Sequence, residues 1–180
     1  MMLCITGMPG AGKSEVGAML VEKGFTEVEM SASIREKMAG EGIEISNVNL
    51  REFSLRIRKE YGGDIVARWA MEKIRRLNAD RVLIVGLRGE DEARYLESQG
   101  KLKVILVTAP EDVRFERLKA RGRSDDPKTK TDFEYREEKE RQFGIEGIMG
   151  RAQYVISNSG TIDELRKDVD ELLGRINAGE

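Results

Sequence analysis

The stretch Gly7-Met8-Pro9-Gly10-Ala11-Gly12-Lys13-Ser14 fits G-x-x-x-x-G-K-[ST], the pattern of a phosphate-binding P-loop. Each part has a physical reason. Glycines let the backbone wrap phosphate oxygens closely, because no Cβ blocks the approach or the positive φ angles. Successive backbone N–H groups form an anion-binding concavity. The helix that starts here points its partly positive N-terminus at the same anion. In this pattern Lys13 reaches the β- and γ-phosphates and the Ser14 hydroxyl coordinates Mg²⁺. The flanks agree with it. Leu3-Cys4-Ile5-Thr6 is a short apolar run fit for a buried parallel strand. Val16, Met19 and Leu20 follow at helical spacing, and Gly24 is placed to end that helix. A chance glycine-rich turn is the bland alternative, and the strand–loop–helix order argues against it.

Outward from the loop, apolar runs alternate with helical stripes. Residues 25–30 read as a second strand. Ser31 or Ser33 is placed to cap a helix holding Ile34, Arg35 and Met38, which Gly40 and Gly42 break. A helix with Leu50, Phe53 and Ile57 stops near Gly62-Gly63. Asp64 is placed to cap the next, whose Val66, Ala70, Ile74 and Leu77 form one apolar stripe, with Trp69 on the same core. Residues 81–86 and 103–108 are further apolar strands, separated by a short helix with Ala93 and Leu96. Val113 and Leu118 belong to the helix after Pro110. Residues 122–132 are polar and read as a mobile loop before a charged helix that runs to about Phe143; Asp125-Asp126-Pro127 within them reads as a turn. Tyr154-Val155-Ile156-Ser157 makes a last strand. Thr161 and Glu164 form a capping box for a final helix lined by Ile162, Leu165, Val169, Leu172 and Ile176. The expected fold is therefore α/β: a five-stranded parallel sheet with helices on both faces, three layers in all, with ligands at the carboxyl ends of the strands.

With 180 residues the chain suits one domain. It has 31 Lys and Arg against 33 Asp and Glu, a net charge of -2, which argues against a general binder of nucleic acid or membrane surfaces. No apolar run approaches a membrane span, and no leader pattern opens the chain. One cysteine, Cys4, allows no intrachain disulfide, so a cytoplasmic location is the default and a buried, inert thiol the expectation. The absence of histidine excludes a Ser-His-Asp hydrolase and a histidine-bound zinc. The 36% charged residues and scarce glutamine suit a thermophile with surface ion-pair networks.

Four stretches beyond the P-loop carry a family likeness. They are residues 30–35 (Met-Ser-Ala-Ser-Ile-Arg), 85–88 (Val-Gly-Leu-Arg), 117–127 from Arg117 to Pro127, and the segment from Phe143-Gly144-Ile145 to Thr161. With the P-loop they resemble an archaeal family related to adenylate kinases, a branch of the nucleoside-monophosphate-kinase superfamily that is also similar to dephospho-coenzyme-A kinases. The resemblance covers nearly the whole chain. It implies a single P-loop kinase-like domain, with an acceptor-binding region over about residues 31–80 and a lid over about 118–142. It implies ATP and Mg²⁺, with Gly7, Pro9, Gly10, Ala11, Gly12, Lys13 and Ser14 as nucleotide contacts. Arg35 and Arg88 match arginines that grip the acceptor phosphate. Arg117 and Arg121 match the paired lid-hinge arginines, one near adenine and one on the phosphates. Arg123, Arg136 and Arg141 are further lid candidates, Arg123 as an acceptor contact. Asn158 lies where the adenine loop of the superfamily runs. In one place the chain departs from the pattern: Val85 stands where the family usually has an aspartate that helps hold the Mg²⁺ water shell. Glu29, Glu90 and Glu92 are the candidates to replace it.

Phosphoryl transfer needs positioning and charge neutralisation more than covalent chemistry, so a ring of arginines around a P-loop is a fitting kit. In this reading Lys13, Arg88 and Arg121 are the catalytic residues. The partners are a nucleotide and a phosphate-bearing small-molecule acceptor, with no nucleic acid and no membrane. The expected activity is a kinase that moves the ATP γ-phosphoryl to a nucleotide or nucleotide-like molecule. A slow NTPase or nucleotide-dependent switch is the alternative that Val85 favours, and a binding module with little turnover is a third.

Overall fold

The computed structural model describes residues 1–123 and 126–179, so Ser124 and Asp125 of the motif stretch lie outside the described residues. Five strands carry the fold: β1 (Met2–Thr6), β2 (Thr26–Glu29), β3 (Val82–Val85), β4 (Leu102–Thr108) and β5 (Tyr154–Ser157). They form one sheet in the order β2-β3-β1-β4-β5, with every adjacent pair parallel. The helices are α1 (Lys13–Glu22), α2 (Met30–Gly40), α3 (Asn47–Tyr61), α4 (Ile65–Leu77), α5 (Glu90–Gln99), α6 (Glu111–Arg121), α7 (Lys130–Gln142), α8 (Ile145–Met149) and α9 (Ile162–Ala178).

Alternation along β1 builds two cores. Leu3 and Ile5 point to one face, where Val16 and Leu20 of α1 meet Leu165, Val169 and Leu172 of α9. Met2 and Cys4 point to the other, against Val66, Ala70 and Met71 of α4, Leu96 of α5 and Ile148 of α8. Strand β1 is flanked by β3 and β4. The chain turns outward to β2 on one side and β5 on the other, so the carboxyl end of β1 is the switch point where such sheets bind ligands. The P-loop begins there.

Several local expectations need correction. Neither Ser31 nor Ser33 caps α2: strand β2 runs straight into the helix, Glu29 stands at the N-cap position without a side-chain cap bond, and both serines lie inside the helix. Asp64 precedes α4 but caps nothing, because its carboxylate takes the guanidinium of Arg68 at 2.9 Å. Leu77 leaves the stripe and is exposed, as is Ile162 of α9. The polar run 122–132 is anchored where it is described. Asp126 and Pro127 are buried, and α7 starts inside the run at Lys130. A capping box of Thr129 and Asp132 starts it, with bonds of 3.1 and 2.9 Å. The box of Thr161 and Glu164 opens α9 as expected.

Candidate active site

The loop from Gly7 to Gly12 is shaped by what surrounds it. Gly7 has φ 144, and a Cβ there would strike the carbonyl of Val107 on β4. Gly12, at φ 94, is the left-handed N-cap of α1, and a Cβ there would strike the Asn158 amide. That amide donates to the carbonyl of Ala11 at 2.9 Å. Arg114, buried on α6, donates to the carbonyl of Pro9 at 3.2 Å and pairs with buried Glu137 of α7. Lys13 curls back onto its own loop, donating to the carbonyls of Gly7 at 2.7 Å and Met8 at 3.0 Å. Burial pushes the Lys13 ammonium down to about 8; the Glu140 carboxylate opposes the shift, while Arg88, Arg136 and Arg114 add to it. A half-buried cation with three arginine neighbours is short of negative charge, and a polyphosphate fits that deficit.

A cavity of about 610 Å³ opens on this loop. Gly7, Pro9, Gly10, Gly12, Lys13 and Ser14 line it, and so do Arg88, Arg117, Arg121, Arg123 and Asn158. Ala11 does not; its side chain is fully buried in the α1–α9 core. Arg117 holds Asn158 through the backbone oxygen at 2.9 Å and Oδ1 at 3.3 Å, so Asn158 is a brace between α6 and the P-loop. Arg121 forks onto Asp126 at 2.9 and 2.5 Å, Arg136 reaches the same carboxylate at 2.9 Å, and the Arg123 N–H adds a bond at 3.0 Å. The Arg121 guanidinium, with this backbone bond and Arg136, holds the Asp126 carboxyl well below the usual carboxylate range.

A second cavity, about 910 Å³, lies between α3 and α7 and shares Gly86, Arg88, Arg136 and Glu140 with the first. Arg123 lines only the P-loop side, away from the acceptor role expected of it. Arg35 lines neither cavity. It sits one and a half turns from Glu29 and folds back onto that strand-end carboxylate at 2.5 Å and onto Ser31 at 2.9 Å. Arg58 of α3 lines the second cavity instead, bound to Glu92 at 2.6 Å.

Each carboxylate proposed to replace the missing aspartate already holds a cation: Glu29 holds Arg35, Glu90 holds Arg151, and Glu92 holds Arg58. Glu29 is the register partner of Val85, one strand away. Among the described residues, the acid common to both cavities is Glu140 of α7, which accepts from Arg88 at 3.3 Å. Sequence reading missed Arg58, Arg114 and Glu140. Arg114 and Glu137 are 23 residues apart with no pattern joining them, whereas Gly89-x-x-Glu92 is a readable helix start. No group of three or more His, Cys, Asp or Glu is arranged to hold a metal among the described residues.

A family model described as an AAA domain matches residues 3–143. A UPF0200 protein of Thermococcus kodakarensis is 39% identical over 181 residues, covering 98% of each chain. Another, of Sulfurisphaera tokodaii, is 37% identical and covers 97% of this chain and 96% of its own. The chain belongs to the UPF0200 family. The resemblance to an archaeal P-loop family thus holds across its length. Solved neighbours of this UPF0200 fold include dephospho-CoA kinase from Campylobacter jejuni, with TM-score 0.62, 16% identity and 99% and 98% of the two chains covered. Shikimate kinase from Acinetobacter baumannii gives 0.61 at 16%, covering 99% and 94%. TT1252 from Thermus thermophilus gives 0.65 at 22%, covering 97% of each. At these identities the likeness is one of fold. The five-stranded parallel sheet with flanking helices is the P-loop kinase fold.

Proposed function

We propose that this protein is a phosphotransferase: ATP gives its γ-phosphoryl to a small acceptor, nucleotide or nucleotide-like, in the cytoplasm. One observation carries the reading. The P-loop cavity and the second cavity meet at one wall, formed by Gly86 and Arg88 with Arg136 and Glu140. A hydrolase needs the nucleotide site alone; a kinase needs an acceptor site facing it, so that donor and acceptor align for in-line transfer. Neighbours of the same fold are named as kinases of dephospho-CoA and shikimate.

In this reading residues about 31–80 hold the acceptor and about 118–142 form the lid. The P-loop N–H groups and Lys13 hold the β- and γ-phosphates, and Arg117, Arg121, Arg123 and Asn158 line the donor side. Ser14 would ligate Mg²⁺, the remaining positions going to phosphate oxygens and water. When bound, the metal neutralises charge on the phosphates. Arg88 orients the acceptor at the shared wall. The acceptor oxygen bonds to the γ-phosphorus as the β–γ bridging oxygen leaves with its electron pair on ADP. A hydroxyl acceptor gives its proton to the Glu140 carboxylate. Screening nucleoside monophosphates and hydroxylated acids with ATP, and following ADP and phosphorylated product, tests the reading. ADP formation that no acceptor stimulates would leave the slow NTPase or switch, which Val85 at the strand end favours.

A further inference from the structure

We infer that Arg58, and not Arg35, grips the acceptor, and that the acceptor carries an oxyanion, a phosphate monoester or a carboxylate, on an apolar or flat body. The inference rests on the kinase reading and names the chemistry of its second cavity.

Glu92 of α5 is the first observation. It is 1% exposed, a position where a carboxylate is costly unless paired and hydrogen-bonded. Its Oε1 takes the Arg58 guanidinium at 2.6 Å, and its Oε2 accepts from the backbone N–H of Gly89 at 3.2 Å and Arg88 at 3.4 Å. One buried carboxylate therefore fixes both the loop that separates the cavities and the arginine that lines the second of them. Arg58 is held again by Ser54, one turn back on α3: its Nη1 donates to the Ser54 carbonyl at 3.1 Å and to the Ser54 hydroxyl. A guanidinium has five N–H donors in a planar fork. With Glu92 and Ser54 engaging two of its nitrogens and its side chain 31% exposed on the cavity, it keeps donors for a ligand oxyanion. A group so pre-oriented loses little side-chain entropy on binding. Arg35 lacks this arrangement: its partner Glu29 is itself 43% exposed, and the pair lies outside both cavities.

The second observation is the cavity's outer wall. Leu55 is 58% exposed, Tyr135 63% and Phe143 46%, and all three line this one space from α3, α7 and the residue after α7. Large apolar side chains gathered around one cavity mark a binding surface. A volume of about 910 Å³ is in the range of small-molecule sites. An acceptor with its oxyanion on Arg58 would lay its body against these residues and bring its reactive oxygen to the Gly86–Arg88 wall.

The test uses the full chain loaded with Mg²⁺ and β,γ-imido-ATP, so that the P-loop is filled. AMP, adenosine and 4-hydroxybenzoate are then titrated by calorimetry. AMP or the benzoate should bind, and adenosine at least tenfold more weakly than AMP if the phosphate is the anchor. AMP alone binding identifies a phosphate monoester; the benzoate alone identifies a carboxylate. Arg58→Ala should weaken the binding probe at least tenfold and Arg58→Lys, which keeps a cation beside Glu92 and protects the fold, at least fivefold. Both should leave imido-ATP affinity within twofold, and Arg35→Ala should leave all affinities within twofold. Unchanged probe binding in both Arg58 variants, loss in Arg35→Ala instead, or no oxyanion binding to the loaded parent overturns the inference. If the oxyanion binds through Arg58 but no γ-phosphoryl reaches it or any other acceptor, the kinase reading falls and the anion site stands.

Discussion

Lys13 shows how one residue links fold, charge and ligand. Its ammonium titrates near 8 in the folded chain against an ordinary 10.5. Below pH 8 it is charged in both folded and unfolded states, and its burial counts against the fold. Between about pH 8 and 10.5 the unfolded chain holds the proton that the folded chain has released, so this penalty is relieved as pH rises. A bound triphosphate favours the charged form and reverses the shift. Nucleotide binding at pH 9 should therefore take up a fraction of a proton, approaching one, and affinity should fall as pH rises through 8. Calorimetry in two buffers of different ionisation heat measures the uptake, and no uptake would mean that Lys13 does not meet the phosphates. Glu140 belongs to the same scale. Glu140→Gln removes the charge that supports the Lys13 ammonium and, with it, the proposed base at the shared wall. Turnover should drop by about 10²-fold or more, the usual reach of general base catalysis. The Lys13 titration should also move further down, read from the pH dependence of nucleotide binding. An unmoved titration would show that Glu140 does not act on the lysine.

The unit of α6 and α7 is where a polar run conceals an anchored element. Thr129 and Asp132 start α7, and Phe133, fully buried, meets Phe115 edge-on at 5.5 Å. Glu137 then pairs with Arg114 beneath the P-loop. Asp126 closes the connection by tying Arg121 to Arg136. The cap is written in the sequence as Thr-x-x-Asp, a signal that the reading of 122–132 as a loop passed over, but the ion pairs are not, because neighbouring charges carry no sign of which will be buried. Asp126→Asn removes charge-assisted bonds to two arginines that still reach water, a cost of about 1–3 kcal/mol. Hydrogen exchange over residues 126–137 should quicken in the variant, while β1 and α9 keep their protection. In the parent, the Asp126 carboxyl is held low, so its contribution is present at neutral pH and is lost as pH falls below the ordinary carboxylate value of 3.8 toward its folded value. The variant should show a shallower loss of stability over that acid range. Equal exchange in both proteins would count against Asp126 as the fastener.

Across the whole molecule, ion pairs join helices that the sheet already brings together. Lys23 pairs with Asp170 and Glu22 with Arg166, tying α1 to α9, while Lys73 and Glu36 tie α4 to α2. These groups are roughly a third to a half exposed, so each pair contributes little near room temperature. Charged networks matter more when hot, because desolvation then costs less. The unfolding midpoint should lie above the ~45–65 °C of mesophile domains and fall when 1 M salt screens the pairs. A calorimetric midpoint within that span would sink the thermophile reading.

Strand runs, helical stripes, the P-loop and the α9 capping box were legible because each is coded within a few neighbouring residues. Period, glycine placement and cap spacing are local quantities, and they determined the five parallel strands, the two-sided helical cover and the P-loop at the end of β1. Which arginine does what was decided elsewhere. Arg35 sits in the expected motif, yet a carboxylate six residues before it takes its guanidinium. Arg58 sits in no motif, yet Glu92, 34 residues on, fixes it in the second cavity. Arg114 reaches the P-loop across 105 residues. A guanidinium goes where a buried carboxylate or carbonyl must be satisfied, and only the packed chain determines which of its many acids are buried.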